Sequence, residues 1–340
     1  MTHARKLTQL DARAALAETA HVRASLAFVF AFAACGGAAP ATVDGALPDA
    51  AAPDLAPPGL GPPYPIILVH GMAGFRNIGP IDYFYGVPAA LKMDGRDVWI
   101  SRQDPINDSE VRGGEVVDYA RMVLAVTGKA RVNLVGHSQG GFDARYAASV
   151  LGDRVASVTT VGSPMLGTPL ADLAAGAGPN AQQAIDALLN LYGAINGYDS
   201  DAQAQIANMT ADGARAFFTA HPDDPRVAYF SIAGRTAGSD GGLDCVQEDR
   251  PQWISKYDGT LDAVDPLLSV PSGLLDQLNP RPVHDGLVPV RSARHGRFLG
   301  CVPADHMQEV NQFLGTPPGN GYDAIQMYRD LATFLAAQGF

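Results

Sequence analysis

Apolar residues along this chain gather into short dense runs that alternate with segments of helical spacing. The dense runs are the Ile66-Ile67-Leu68-Val69 stretch within Tyr64 to Met72, Asp97-Val98-Trp99-Ile100-Ser101, Arg131-Val132-Asn133-Leu134-Val135, Val155 to Val161 and Val227 to Ile232. A strand with one wet face alternates polar and apolar positions, so runs this dense predict strands buried on both faces. Between the second and third runs, Glu115 to Val126 places Val116, Tyr119, Met122, Val123 and Val126 along one helical face. Strands alternating with helices predict an α/β fold with a mostly parallel central sheet flanked by helices. No internal repeat recurs.

A segment of roughly Ala171 to Pro225 separates the fourth and fifth runs and is too long for a simple crossover. Within it Ile185, Leu188, Leu189, Tyr192 and Ile195 recur at helical spacing opposite Gln182, Asp186 and Asn190, between glycine-rich flanks at 176–179 and 193–197. Two readings stay open: a hinged lid, apolar inside and polar outside, or a cap helix permanently packed on the domain.

The first 63 residues have a different character. Ala24 to Ala34 is an apolar stretch after Arg23, too short to span a bilayer and of the length of a signal-peptide core. Phe32-Ala33-Ala34-Cys35-Gly36 resembles a bacterial lipobox with phenylalanine at the usual leucine position, which implies a diacylated Cys35. The alternative is an ordinary secretory peptide cut at a small-residue site. The polar segment ahead of Arg23 is long for such a peptide and suggests a later start, with Val22 a candidate initiator. Residues 1–34 are thus expected to be a signal peptide and 35–63, rich in Ala, Pro and Gly, an extended tether. Residues 64–340 form the expected folded domain, with its cap insertion at about 171–225. The expected location is the outer membrane or cell surface as a lipoprotein, or else the medium.

Composition sharpens this in two places. Of 340 residues, 47% are hydrophobic and 17% charged, which fits a filled globular core, and a net charge of -11 without a basic cluster argues against a nucleic-acid partner. With Cys35 consumed by lipid, the remaining two of the three cysteines, Cys245 and Cys301, are an even pair in an exported protein and are expected to be bridged.

The chemistry centres on Gly136-His137-Ser138-Gln139-Gly140-Gly141, between the third dense run and the helix-compatible Phe142 to Ala148. Gly-x-Ser-x-Gly between a strand and a helix is the pattern of a nucleophile elbow, where a turn tight enough to lift a serine above the sheet leaves no room for neighbouring Cβ atoms. This narrows the fold to the α/β-hydrolase type. Ser138 needs a base and an orienting acid, which follow in the order Ser, Asp/Glu, His. His284, His295 and His306 come late enough to be the base. His306, in a loop before Gln308-Glu309-Val310, is favoured over His295, which lies in a basic, solvated stretch. Asp285, in a turn expected to leave a strand end, is the acid. The oxyanion donors are expected to be the backbone N–H groups of Gln139 and of Met72, with His70 fixing the loop that carries Met72 and His137 structural.

Several motifs now converge. Tyr64 to Phe75, Ile81-Asp82-Tyr83-Phe84-Tyr85-Gly86-Val87-Pro88, Ser109-Glu110-Val111-Arg112-Gly113, Val132 to Gly141, Asp285-Gly286-Leu287-Val288 and His306-Met307-Gln308-Glu309-Val310-Asn311-Gln312 together resemble the secreted triacylglycerol lipases of the Pseudomonas/Burkholderia type. The resemblance spans nearly the whole folded domain. It implies a lidded α/β-hydrolase that cleaves acylglycerol esters at an interface, with Ser138, Asp285 and His306 as triad, Met72 and Gln139 as oxyanion donors, and no cofactor for the chemistry. The other functions open to the sequence are a carboxylesterase or polyester depolymerase, and a catalytically silent lipid-binding lipoprotein.

The chain departs from that family in three ways. The resemblance implies a structural Ca²⁺ held by two aspartates and carbonyl oxygens. Asp265 fits the first aspartate, but the second position is Gln308. A site of one carboxylate, Gln308, the Gln312 region and the Thr316 carbonyl is expected to bind calcium weakly or not at all. The family cysteine after the catalytic aspartate is absent, near Arg291, so a Cys245–Cys301 bridge would staple a different loop and could replace calcium beside His306. The family is released to the medium, often with a dedicated membrane foldase, whereas the lipobox would hold this chain on a membrane.

Overall fold

The computed structural model describes residues 60–72, 74, 77–78, 81–176, 201–239, 243–312 and 318–340. The signal peptide, Cys35, most of the tether and the helix expected at 185–195 lie outside the described residues. At the end of the tether, the Leu60 carbonyl accepts from Ala130 N–H and the Gly61 carbonyl from Lys129 Nζ.

In chain order the described strands are β1 (Ile66–Val69), β2 (Asn77–Ile78), β3 (Ile81–Asp82), β4 (Val98–Ile100), β5 (Val132–His137), β6 (Val155–Val161), β7 (Ala228–Gly234) and β8 (Arg297–Val302). The described helices are α1 (Val87–Met93), α2 (Ser109–Thr127), α3 (Gly140–Leu151), α4 (Pro169–Ala175), α5 (Ala202–Asn208), α6 (Ala211–Ala220), α7 (Ser269–Asp276), α8 (Val290–Ala293) and α9 (Ala324–Ala337). Six strands form one parallel sheet in the order β4-β1-β5-β6-β7-β8.

The dense apolar runs are dense because both faces are covered. In β1, Ile66 and Leu68 join a cluster with Leu91, Tyr328 and Leu331 from α1 and α9, while Ile67 and Val69 join Val116, Val123 and Ala144 from α2 and α3 on the other face. A third cluster, built by Leu170, Ile206, Leu274, Leu287 and Met307 among others, also takes in Met72.

Local chemistry sets the helix ends. The Asp108 carboxylate caps α2 by accepting from Glu110 N–H and Val111 N–H, and Gly128 at φ 67 ends the helix. This helix starts six residues before the apolar period does, because its first turns bury Ser109, Arg112 and Gly113 rather than large apolar groups. Gly113 is needed there: a Cβ would lie 2.6 Å from the Tyr146 ring.

Two expectations change. Arg297 to Val302, at the end of the stretch taken as solvated, is edge strand β8. No described strand leads into Asp285; a single antiparallel bridge, His284 to Pro289, shapes that turn instead.

Candidate active site

Ser138 follows β5 directly, at the C-terminal edge of the sheet where α/β proteins gather their functional groups. With φ 56 it is one of two described non-glycine residues in the left-handed region. That conformation costs about 1–3 kcal/mol and persists only where the surroundings impose it. The imposing contacts are visible: a Cβ on Gly136 would lie 2.3 Å from the Gly140 carbonyl oxygen, and one on Gly140 would lie 2.2 Å from that of Val69. Ser138 N–H donates to the Val161 carbonyl at 3.0 Å, tying the elbow to β6.

His306 and Asp285 meet as expected. His306 Nδ1 donates to Asp285 Oδ2 at 2.8 Å, and His306 N–H donates to the Asp285 carbonyl at 2.9 Å. The other carboxylate oxygen, Asp285 Oδ1, accepts from Leu287 N–H and Val288 N–H at 2.8 and 2.7 Å. With Nδ1 donating, the neutral ring presents Nε2 as an acceptor, and this buried atom has no hydrogen-bond partner among the described residues. A base with its proton-accepting nitrogen free is what a serine hydroxyl requires.

The other histidines have separate engagements. His295 is half-buried, and its Nε2 lies 2.8 Å from Asp223 Oδ2. His284 contacts Asp276 through Nε2 and accepts Gly286 N–H on Nδ1. His70 is wholly buried, its Nδ1 3.0 Å from the Gly71 carbonyl, and burial, then the Arg112 charge, lowers its pKa to about 3. His137, inside the elbow, accepts from the Tyr83 hydroxyl on Nδ1 at 2.7 Å and donates from Nε2 to Glu309 at 3.0 Å. Its ring centroid lies 4.5 Å from that of His306.

Glu309 had no role in the sequence reading, although it sits one turn beyond His306. It is wholly buried between the ends of β6 and β7, where Cβ atoms on Gly162 and Gly234 would collide with its carboxyl oxygens. Burial, then the Asp285 charge, pushes its pKa well above the ordinary carboxyl value. One donor atom each from His137, His306 and Glu309 falls within 4.8 Å of the others, but these groups are already bound to Tyr83, Asp285 and one another.

The loop leading to Met72 is held from behind. Arg112, wholly buried, forms an ion pair with Asp143 at 2.7 Å and donates to the carbonyls of His70 at 2.8 Å and Gly71 at 3.1 Å, immediately before Met72. It also donates to the Asp104 carbonyl. Gln103 Nε2 adds a bond to the His70 carbonyl at 2.9 Å. A Cβ on Gly71 would lie 2.7 Å from that of Ser138, so this loop touches the elbow. Gln139 is wholly buried at the start of α3, where helix N–H groups lack partners within the helix. Its side chain bonds the Asn107 carbonyl at 2.9 Å, and Gln205 of α5 donates to its Oε1 at 2.7 Å, linking α5 to the elbow.

Cys245 and Cys301 are bridged, with Cα atoms 5.5 Å apart. The bond anchors the turn at 243–245 to β8, shortly before His306.

Two of the residues that the resemblance implies for calcium have other engagements. Asp265 Oδ1 accepts Leu267 N–H at 2.8 Å, and Gln308 Oε1 accepts Asp305 N–H at 2.9 Å. A calcium ion takes about six to eight oxygens. Asp265 offers the only carboxylate of the set and the Gln308 amide oxygen is engaged, so the residues present do not fit the ion; Thr316 lies outside the described residues.

An α/β sheet with a serine elbow, a histidine–carboxylate pair at the same edge and a braced loop against the elbow fits a serine hydrolase of the α/β-hydrolase class. Residues 64–187 match the family model described as alpha/beta hydrolase fold. The chain is 33% identical to a triacylglycerol lipase of Vibrio cholerae over 81% of this chain and 88% of that protein. It is 31% identical to one of Burkholderia plantarii (81% and 87%) and 30% identical to one of Pseudomonas fragi (81% and 97%). The chain belongs to the triacylglycerol lipase family and is a serine ester hydrolase of lipase type. Among solved structures it shares the fold of a Bacillus licheniformis lipase in mature form, at TM-score 0.55 and 20% identity over 83% of this chain and 96% of the other. It also shares that of a metagenomic carboxyl esterase, at TM-score 0.58 and 15% identity over 81% and 76%.

Proposed function

We propose that the protein hydrolyses acylglycerol esters through an acyl-enzyme on Ser138. The observation that carries this is the His306 ring, bonded to Asp285 through Nδ1 with Nε2 left free in a buried site. Ser138 Oγ attacks the ester carbonyl as its proton passes to His306 Nε2. The carbonyl oxygen becomes an oxyanion that accepts from the N–H groups of Met72 and Gln139. Collapse breaks the bond to the alcohol, which takes the proton from His306 and leaves. Water then attacks the acyl-enzyme with His306 again as base, releasing the fatty acid and restoring Ser138. Asp285 holds the imidazolium formed in each half, and no cofactor enters any step.

The acylglycerol assignment rests on the names of the relatives. Leu166, 64% exposed on the loop leaving β6 at the same sheet edge, supports contact with an apolar surface. We further read Cys35 as a lipid anchor on the outer membrane or cell surface, with secretion into the medium the other outcome, and leave a foldase partner to be tested by expression with and without one. A fluorophosphonate probe should label Ser138 in native protein but not a Ser138→Ala variant; absence of labelling would point to a silent lipid-binding protein. Hydrolysis that rises sharply above the solubility limit of the ester marks a lipase, and saturation below it a carboxylesterase or polyester depolymerase.

A further inference from the structure

The loop carrying His306 must be held against the segment carrying Asp265, and the cation that would do this has no fitting ligand set. We propose that Asp305, seconded by Gln308, staples these two segments without a metal and is thereby a positioning residue for His306. The proposal rests on the reading of His306 as the base.

Asp305 directly precedes His306 and is wholly buried. Its Oδ1 gathers the N–H groups of Met307 and Gln308 at 3.0 and 2.8 Å, fixing the turn that follows His306. Its Oδ2 crosses to the other segment and accepts Asp265 N–H at 2.9 Å. Gln308 returns the bond by accepting Asp305 N–H on Oε1, the reciprocal arrangement of a capping box. Hydrogen bonds to a charged acceptor are roughly twice as strong as neutral ones, and this carboxylate makes three, one of them between segments.

A cation and a carboxylate need opposite linings. A dication joins two loops by drawing oxygens inward, whereas a carboxylate does so by drawing N–H groups inward. In this chain Asp265 gives its N–H to the histidine loop, while its Oδ1 accepts Leu267 N–H within its own segment. On the other side of His306 the loop is fixed by the Cys245–Cys301 bridge and by Asn320 Nδ2, which donates to the Pro303 carbonyl at 2.7 Å. His306 is thus held from both sides. Loss of the Asp305 bonds would let Nδ1 stray from Asp285.

The test uses the full mature chain, its Asp305→Ala and Asp305→Asn variants, EDTA and calcium chloride. Wild type is expected to keep its Tm within about 2 °C between exhaustive chelation and added calcium. Asp305→Ala should lower kcat on a soluble ester by about 10- to 100-fold while KM moves less than about twofold. Asp305→Asn keeps one oxygen for Met307 and Gln308 but sets an amide N–H₂ against Asp265 N–H, so its loss of kcat should be intermediate. Calcium should rescue neither. A wild-type Tm that falls by roughly ten degrees or more on chelation and returns with calcium would assign the staple to a metal and overturn the proposal. So would an Asp305→Ala variant with wild-type kcat; if that variant does not fold, wild-type kcat in Asp305→Asn decides equally. Failure of the catalytic reading shows separately, as wild type that neither labels with fluorophosphonate nor hydrolyses ester, and the chelation and melting comparisons then still decide the staple.

Discussion

Replacing Arg112 by methionine removes a cation that holds three things at once. Its guanidinium neutralises the buried Asp143 carboxylate at 2.7 Å, and it supplies the hydrogen bonds that pin the carbonyls of His70 and Gly71. Breaking one partner of a buried pair costs about 3–5 kcal/mol, because the other charge stays buried without compensation. For a domain of this size that corresponds to a fall in Tm of about 5–9 °C. Catalysis should fall for a different reason. Without the two carbonyl bonds the loop no longer fixes Met72 N–H, and loss of one oxyanion donor costs about 100- to 1,000-fold in kcat. The two effects separate in the double variant Arg112→Met/Asp143→Asn. An amide at 143 removes the buried charge. Stability should then recover by most of its loss and kcat should not. Melting curves and steady-state kinetics on a soluble ester give both readouts. Near-native stability in Arg112→Met, or near-native kcat in the double variant, would refute the reasoning.

Cleaving the Cys245–Cys301 bridge, by Cys245→Ser with Cys301→Ser, opens a loop of 56 residues and should destabilise by about 4 kcal/mol on the chain-entropy model, read as a lower urea midpoint. Gly140→Ala places a Cβ 2.2 Å from a backbone oxygen and should leave little folded, active protein, measured by soluble yield and fluorophosphonate labelling. His70 gives a pH signature. Its folded pKa is depressed to about 3, so the stability it contributes is complete above its unfolded value of 6.5 and is lost as pH falls toward 3. Relative to His70→Asn, wild type should lose up to about 1.4 kcal/mol per pH unit below about 6 and nothing above about 7; a difference constant from pH 4 to 8 counts against a neutral buried ring.

The order Ser138, Asp285, His306 could be read from the chain because acyl transfer needs those residue types and glycine is needed where a turn is too tight for a side chain. Gly136 and Gly140 meet backbone atoms only a few residues away or in the adjacent strand, so local crowding forces their identity. The dense runs likewise gave the central strands, since burial on both faces leaves no polar alternation. Edge strand β8 escaped because its register includes Gly300 and Arg297, which interrupt the apolar signal. The groups around the triad escaped for another reason: Glu309 acts across 172 residues on His137, and Asp305 across 40 on Asp265.

By itself, then, the sequence determined the class of fold and the cysteine pair and pointed to Ser138, Asp285 and His306, since covalent chemistry, backbone crowding and two-faced burial act on few neighbours at a time. Only the tertiary structure decided that Glu309 is buried against His137, that Arg112 braces the loop before Met72, and that the Asp305 carboxylate gathers the N–H groups of Met307, Gln308 and Asp265. Each of these depends on the direction in which a backbone group points after distant segments have packed, and no residue spacing carries that direction.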